Sequence, residues 1–87
     1  MKLKVASALW CPACLIVHSR INKLSKEYPE LTVEFIDVDM QSEQAKEFDP
    51  VDVLPVFLLL DEDGSTIKRL TGELSKKQLI KEFFEHV

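Results

Sequence analysis

Residues 7–29 read SALWCPACLIVHSRINKLSKEYP, and the hydrophobic period changes within them. Ahead of Cys11, the chain from Leu3 to Leu9 is apolar apart from Lys4 and Ser7, the composition of a largely buried strand. From Pro12 onward Cys14, Val17, Ile21, Leu24 and Tyr28 recur at steps of three and four, with Arg20, Asn22, Lys23, Lys26 and Glu27 between them. That spacing predicts an amphipathic helix, stopped by Pro29. Cys11 therefore falls at a strand-to-helix junction, and Cys14 lies one turn inside the helix.

Working outward, Leu31, Val33 and Phe35 alternate with polar neighbours and run on through Ile36 and Val38, which predicts a second strand over Thr32–Val38. QSEQAKEFDP (41–50) offers Ser42 as the N-cap of a short helix that closes near Asp49 and Pro50. Pro55 opens the apolar run Val56–Leu60, too short for a domain helix and suited to a central strand. DEDG (61–64) is a tight turn, and Thr66–Leu70 returns antiparallel. Ser75 and Gln78 have capping-box spacing and open a last helix with the apolar stripe Leu79, Ile80, Phe83 and Phe84. The order is β-α-β-α-β-β-α. A helical crossover makes the first two strands parallel, and the later hairpin adds antiparallel strands to the same sheet. The expected fold is α/β, a three-layer α/β/α sandwich around a four-stranded mixed sheet, in one domain spanning residues 1–87.

Composition excludes several classes of function. The chain is 46% hydrophobic and 30% charged with only 2 glycines and 4 prolines, which is globular rather than disordered. A net charge of -4, with lysines scattered among acids, recommends neither a nucleic acid nor an anionic membrane as partner. No apolar run approaches the roughly 18 residues of a membrane span. MKLKVASALW (1–10) is interrupted by Ser7 and lacks a cleavage site, so it reads as a strand, not a leader. A soluble, cytoplasmic monomer is expected, and in that compartment two cysteines seldom form a permanent disulfide.

Three uses of the cysteine pair can be weighed. As a staple, the short loop gives roughly 2 kcal/mol, against about 3 for a 15-residue loop. A structural zinc needs about four ligands, whereas C-x2-C supplies half of them and His18 and His86 are the only histidines, so no metal is expected. The redox reading fits better. Residues three apart on a helix have Cα atoms about 5 Å apart, inside the disulfide range of roughly 4.4–6.8 Å. The helix N-terminus favours an anion at Cys11, while Cys14 is less exposed and placed to resolve a mixed disulfide. Pro12 suits the first helical turn. Trp10 fits either a core aromatic or a residue beside the substrate.

WCPAC (10–14), LPVF (54–57) with Pro55, and TGELSKKQL (71–79) with Gly72 together resemble the thioredoxin superfamily over nearly the whole chain. The resemblance implies a thioredoxin-like sandwich with Cys11 as nucleophile and Cys14 as resolving thiol. It also implies a cis Leu54–Pro55 bond facing the pair, with the Leu54 backbone pairing with an extended substrate. The activity implied is reduction of protein disulfides by dithiol exchange, with no bound cofactor and with a flavoprotein reductase or glutathione as external reductant. Trp10, Pro12, Ala13, Leu54, Pro55 and Gly72 would form a small apolar patch for transient partners.

Departures from the family pattern bear on the branch. The length and the first proline of CPAC are similar to glutaredoxins. Ala8 and Leu9 replace the basic residue that glutaredoxins carry before the first cysteine, and the lone Gly72 replaces their glycine pair. A small thioredoxin on a glutaredoxin-sized frame is expected; the alternatives are a glutathione-dependent glutaredoxin and a non-catalytic binding module. Six residues before the nucleophile, Val5 stands where thioredoxins have a buried Asp that takes the proton of the resolving thiol. His18, four residues after Cys14 on the same helical face, is a candidate helper in that deprotonation, the alternative being a histidine with no part in it. Asp37, Asp39 and the acids of the turn read as strand ends and turn formers.

Overall fold

In a computed structural model of the protein, which describes residues 1–86, the expected element order is present. The elements are β1 (Lys2–Ser7), α1 (Pro12–Glu27), β2 (Thr32–Asp37), α2 (Ser42–Ala45), β3 (Val56–Leu60), β4 (Thr66–Thr71) and α3 (Lys76–Glu82). Short 3₁₀ turns follow α2 at Lys46–Phe48 and α3 at Phe84–His86. The sheet runs β2-β1-β3-β4. β1 is parallel to β2, which the crossover through α1 requires, and antiparallel to β3, which pairs antiparallel with β4.

Alternation along the strands assigns the two faces of the sheet. Leu3 and Val5 of β1 and Phe57 and Leu59 of β3 pack against Val17, Ile21 and Leu24 of α1 and against Leu79, Phe83 and Phe84 at the C-terminal end. Ala6, Ile36, Val56, Leu58 and Leu60 point the other way, onto Ala45 and Phe48. Helices α1 and α3 thus cover one face and α2 with its 3₁₀ extension the other, the three-layer α/β/α sandwich. β3 is buried at every position, as a central strand covered on both sides must be.

The differences from expectation lie at element ends. β1 stops at Ser7, not Leu9, because the chain turns there: the Cys11 N–H donates to the Ala8 carbonyl at 3.2 Å, and Leu9 is 78% exposed. Ser42 is not the N-cap of α2. Gln41 holds that position without a capping bond, and its Oε1 accepts the Asp37 N–H at 3.1 Å instead. β2 ends at Asp37 because the Asp37 carboxylate turns the chain, Oδ1 accepting the N–H groups of Asp39 and Met40 at 2.9 Å each. α3 ends at Glu82, so Phe83 and Phe84 complete the apolar stripe from beyond the helix, both fully buried. The capping box forms as expected, with Ser75 Oγ accepting the Gln78 N–H at 3.1 Å and Gln78 Oε1 accepting the Ser75 N–H at 2.9 Å.

Candidate active site

The turn at Ala8 delivers Cys11 to the N-cap of α1 in extended conformation (φ -96°, ψ 109°). Its Sγ accepts the N–H of Cys14 at 3.2 Å, so the sulfur takes the place of the hydroxyl or carboxylate that usually satisfies this donor. Pro12 occupies the first turn, where its missing N–H leaves nothing unpaired. Both cysteines are free thiols. Their exposures differ little, 6% for Cys11 and 4% for Cys14, so exposure alone does not distinguish an open thiol from a sheltered one. Access makes the distinction. Cys11 lines a cleft of about 590 Å³ with Trp10, Val38, Ala45 and Leu54, between the α1 N-terminus and α2. Cys14 lines a separate cleft of about 190 Å³ on the other side, at the β2 edge of the sheet.

Burial pushes the Cys14 thiol up to about 12 from its ordinary 9.0, and the adjoining Cys11 thiol adds to the rise. The folded protein therefore holds this proton more tightly than the unfolded chain does. The resulting stabilisation is complete below the unfolded value near 9 and is lost as pH rises from there toward 12. The melting temperature of the reduced protein is accordingly expected to fall more steeply between pH 9 and 11 than that of reduced Cys14→Ala. Parallel curves would contradict the shift.

Ala13 and Leu54 pack with Ala8 and Val38 onto the two sulfurs in one apolar cluster. The Leu54–Pro55 peptide is cis, and so is Asp49–Pro50. Pro55 itself is buried, while Leu54 is half-buried and faces the Cys11 cleft. Gly72 adopts φ +91°, a conformation L side chains rarely take, and in it donates its N–H to the Pro55 carbonyl at 2.9 Å. Trp10 is not a core residue. It is 68% exposed, and its indole N–H donates to Asp39 Oδ2 at 2.7 Å, which fixes the ring at the mouth of the Cys11 cleft. His18 is exposed and stacks on Phe35, with centroids 4.0 Å apart and planes 9° apart.

Three contributors escaped the sequence reading. Asp39 and Val38 reach the site from 24 or more positions beyond Cys14, and only the folded β2–α2 connection reveals it. Arg69 of β4 is the third: its Nη2 donates to the Phe48 carbonyl at 3.0 Å and the Pro50 carbonyl at 2.7 Å, clamping the segment that leads to Leu54. An exposed arginine in a strand gives no signal of this kind. Arg69→Met is expected to raise KM for a protein disulfide about 3- to 10-fold, the effect of about 1 kcal/mol of lost restraint. The bimolecular rate with a small aryl disulfide should stay within error of wild type. Equal losses with both substrates would place the effect on the thiols and not on the clamp.

The family model described as Thioredoxin matches residues 5–85. The thioredoxin of Mycobacterium tuberculosis is 35% identical over 81 residues, covering 92% of this chain and 68% of that protein. The bifunctional thioredoxin reductase/thioredoxin of Mycobacterium leprae is 32% identical over 81 residues, 92% of this chain and 17% of its own length. Among solved structures, Fasciola hepatica thioredoxin superposes with a TM-score of 0.87 at 27% identity, covering 99% of this chain and 80% of the other. With the cysteine pair at the head of α1, the proline at the head of β3 and this likeness over most of its length, the chain belongs to the thioredoxin family and is a thiol-disulfide oxidoreductase.

Proposed function

We propose that Cys11 and Cys14 are the redox pair and that the protein reduces disulfides in other proteins. The observation that carries this reading is the Cys11 Sγ held at the N-cap of α1 by the Cys14 N–H at 3.2 Å while lining the larger cleft. A thiolate there is stabilised by the unpaired N–H groups and the positive end of the helix. It attacks one sulfur of a substrate disulfide, forming a mixed disulfide and releasing the other substrate sulfur as a thiolate. Deprotonated Cys14 then attacks Cys11 Sγ, closing the Cys11–Cys14 bond and expelling the second substrate thiolate. Two electrons pass from the dithiol to the substrate, which leaves as a dithiol after taking up two protons.

In this reading Trp10, Pro12, Ala13, Leu54 and Gly72 form the docking surface, with the buried Pro55 beneath Leu54. An extended segment of the partner lies along Leu54, whose backbone offers strand-like hydrogen bonds. No bound cofactor is needed, because sulfur carries the electrons. The oxidised pair is returned to the dithiol by an external reductant, a flavoprotein reductase or glutathione. The Mycobacterium leprae relative, by its name a reductase and a thioredoxin together, favours the first. Residues 1–87 act as one domain and as a monomer in the cytoplasm, where the thiols are kept reduced. Among the described residues, no helix is long and apolar enough to cross a membrane.

The test is paired. Reduced protein is expected to reduce the disulfides of a protein substrate and to leave a glutathione mixed disulfide largely untouched, with Cys11→Ser inactive on both. Turnover confined to the glutathione substrate would assign a glutaredoxin. Inactivity on both substrates would leave a binding module.

A further inference from the structure

The cleft beside Cys14 lies at the exposed edge of the sheet, closed at one end by Gln41 ahead of α2. Ser7 and Ala8 come from the end of β1, Cys14 and His18 from α1, and Phe35 and Asp37 from β2. β2 is an edge strand, so the cleft opens sideways to solvent, away from the Cys11 cleft where a partner sits. At about 190 Å³ it has room for several waters, each occupying about 30 Å³ in the liquid. The docked partner covers the Cys11 side, so a proton leaving Cys14 during the second step needs another exit. Val5, at the position where thioredoxins carry the buried Asp, is apolar and 1% exposed, packed into the α1 face of the core.

We infer that the Cys14 proton leaves through this edge cleft to His18, and that Asp37 on the facing wall steadies the imidazolium formed. The inference rests on Cys14 being the resolving thiol. His18 is held at the cleft by its stack on Phe35, which covers one face of the ring and leaves both in-plane nitrogens outside the stack. Histidine is the side chain whose ordinary range lets it accept a proton near neutral pH and lose it again to solvent. Asp37 is the acid in the cleft wall, from β2; from α1 itself Lys23 and Lys26 share a shallow hollow with His18 and oppose a further positive charge. Arg20 of the same helix is occupied by Glu73 and the Leu74 carbonyl. In the step, the Cys14 S–H bond breaks, water passes the proton to His18, and the Cys14 thiolate attacks Cys11 Sγ as the substrate thiolate departs. His18 then returns the proton to bulk water.

A single-turnover reaction with a symmetrical aryl disulfide that releases a coloured thiolate separates the two steps. Attack by Cys11 gives the first colour phase, and resolution by Cys14 gives the second. His18→Ala and His18→Gln are expected to leave the first phase unchanged and to slow the second about tenfold or more at pH 7. Added imidazole should restore the second phase in His18→Ala, since a diffusible base can enter from the open edge. Asp37→Asn keeps the turn-forming Oδ1 acceptor, and should slow the second phase by removing the charge that steadies the imidazolium, with the first phase unchanged. Equal second phases in wild type and both His18 variants between pH 6 and 8 would overturn the inference. So would a slowed second phase that imidazole fails to restore, which is the mark of altered packing around Phe35. Loss of the first phase in wild type would instead overturn the assignment of the redox pair.

Discussion

Cys14→Ser is expected to stop halfway through the reaction, joined covalently to its substrate. Cys11 keeps its position at the N-cap in this variant, because the N–H it accepts belongs to the backbone of residue 14 and not to the side chain. The first attack therefore proceeds. Nothing then lies one turn below to displace the substrate, and the mixed disulfide accumulates stoichiometrically, visible as a mass increase that reductant reverses. Multiple turnover should fall by ~10³-fold or more, the scale on which removal of one member of a concerted set acts. Cys11→Ser should lose turnover to the same degree and form no adduct, because Cys14 is 4% exposed, lies on the edge cleft away from the Cys11 cleft, and has its thiol pushed up to about 12 by burial. The asymmetry between the variants is the informative result. Adducts of equal yield in the two would mean that either sulfur can be first, which the separation of the two clefts argues against.

The fold was legible in the sequence to within a residue or two at most ends, because each element carried a local signal that did not depend on the rest of the chain. The step from an apolar run to three-and-four spacing at Pro12 located both the β1–α1 junction and the buried face Cys14, Val17, Ile21 and Leu24. Ser75 and Gln78 marked the start of α3 because a capping box is written entirely within four consecutive residues. Where local signals misled, a tertiary partner had intervened. Leu9 is apolar in a run of apolar residues, yet the turn that sets Cys11 on its helix throws it into solvent. Ser42 is a better N-cap than Gln41 by preference, but Asp37 had already bent the chain one residue earlier. The site divides in the same way. Cys11 and Cys14 are legible from spacing alone, whereas Asp39, Val38 and Arg69 belong to the site only through the register of the sheet and the return of its loops.

That register also gives the two clefts their independence. β1 is central, so the loop after it emerges between two neighbours: β3, whose lead-in carries Leu54, and β2, whose end carries Asp37 and Asp39. Cys11 lines the cleft on the α2 side and Cys14 the cleft at the β2 edge because Cys11, at the N-cap, is still extended (φ -96°, ψ 109°) and stands outside the helix, whereas Cys14 lies within its first turn, packed against the sheet. A partner can therefore cover the first sulfur while the second remains in touch with solvent.

Phe57→Ala is expected to be the most damaging single change away from the thiols. Phe57 lies in the central strand β3, opposite Val5 of β1 and Leu70 of β4, and is 0% exposed. Its ring meets that of Phe83 with centroids 5.4 Å apart and planes inclined 31°, a tilted pair that joins the sheet to the end of α3. Truncation leaves a cavity bounded by strands on both sides, which cannot collapse without breaking the ladder, so the cost should lie at roughly 3–5 kcal/mol. An 87-residue domain has in total roughly 4–13 kcal/mol at about 0.05–0.15 per residue, so the variant stands close to unfolding. Its melting temperature should drop by more than about 12 °C. Ile67→Ala on the exposed side of β4, at 45% exposure, is the control and should stay within about 0.5 kcal/mol of wild type. Phe57 belongs to the α1 and α3 face of the core, whereas the thiols pack in a separate cluster with Ala8, Ala13, Val38 and Leu54. Below its melting point the Phe57→Ala protein should accordingly react with a small disulfide at the wild-type rate. A loss smaller than about 1.5 kcal/mol in denaturant unfolding would mean that Phe83 and Leu70 close over the gap, and that the α3 face is softer than its packing indicates.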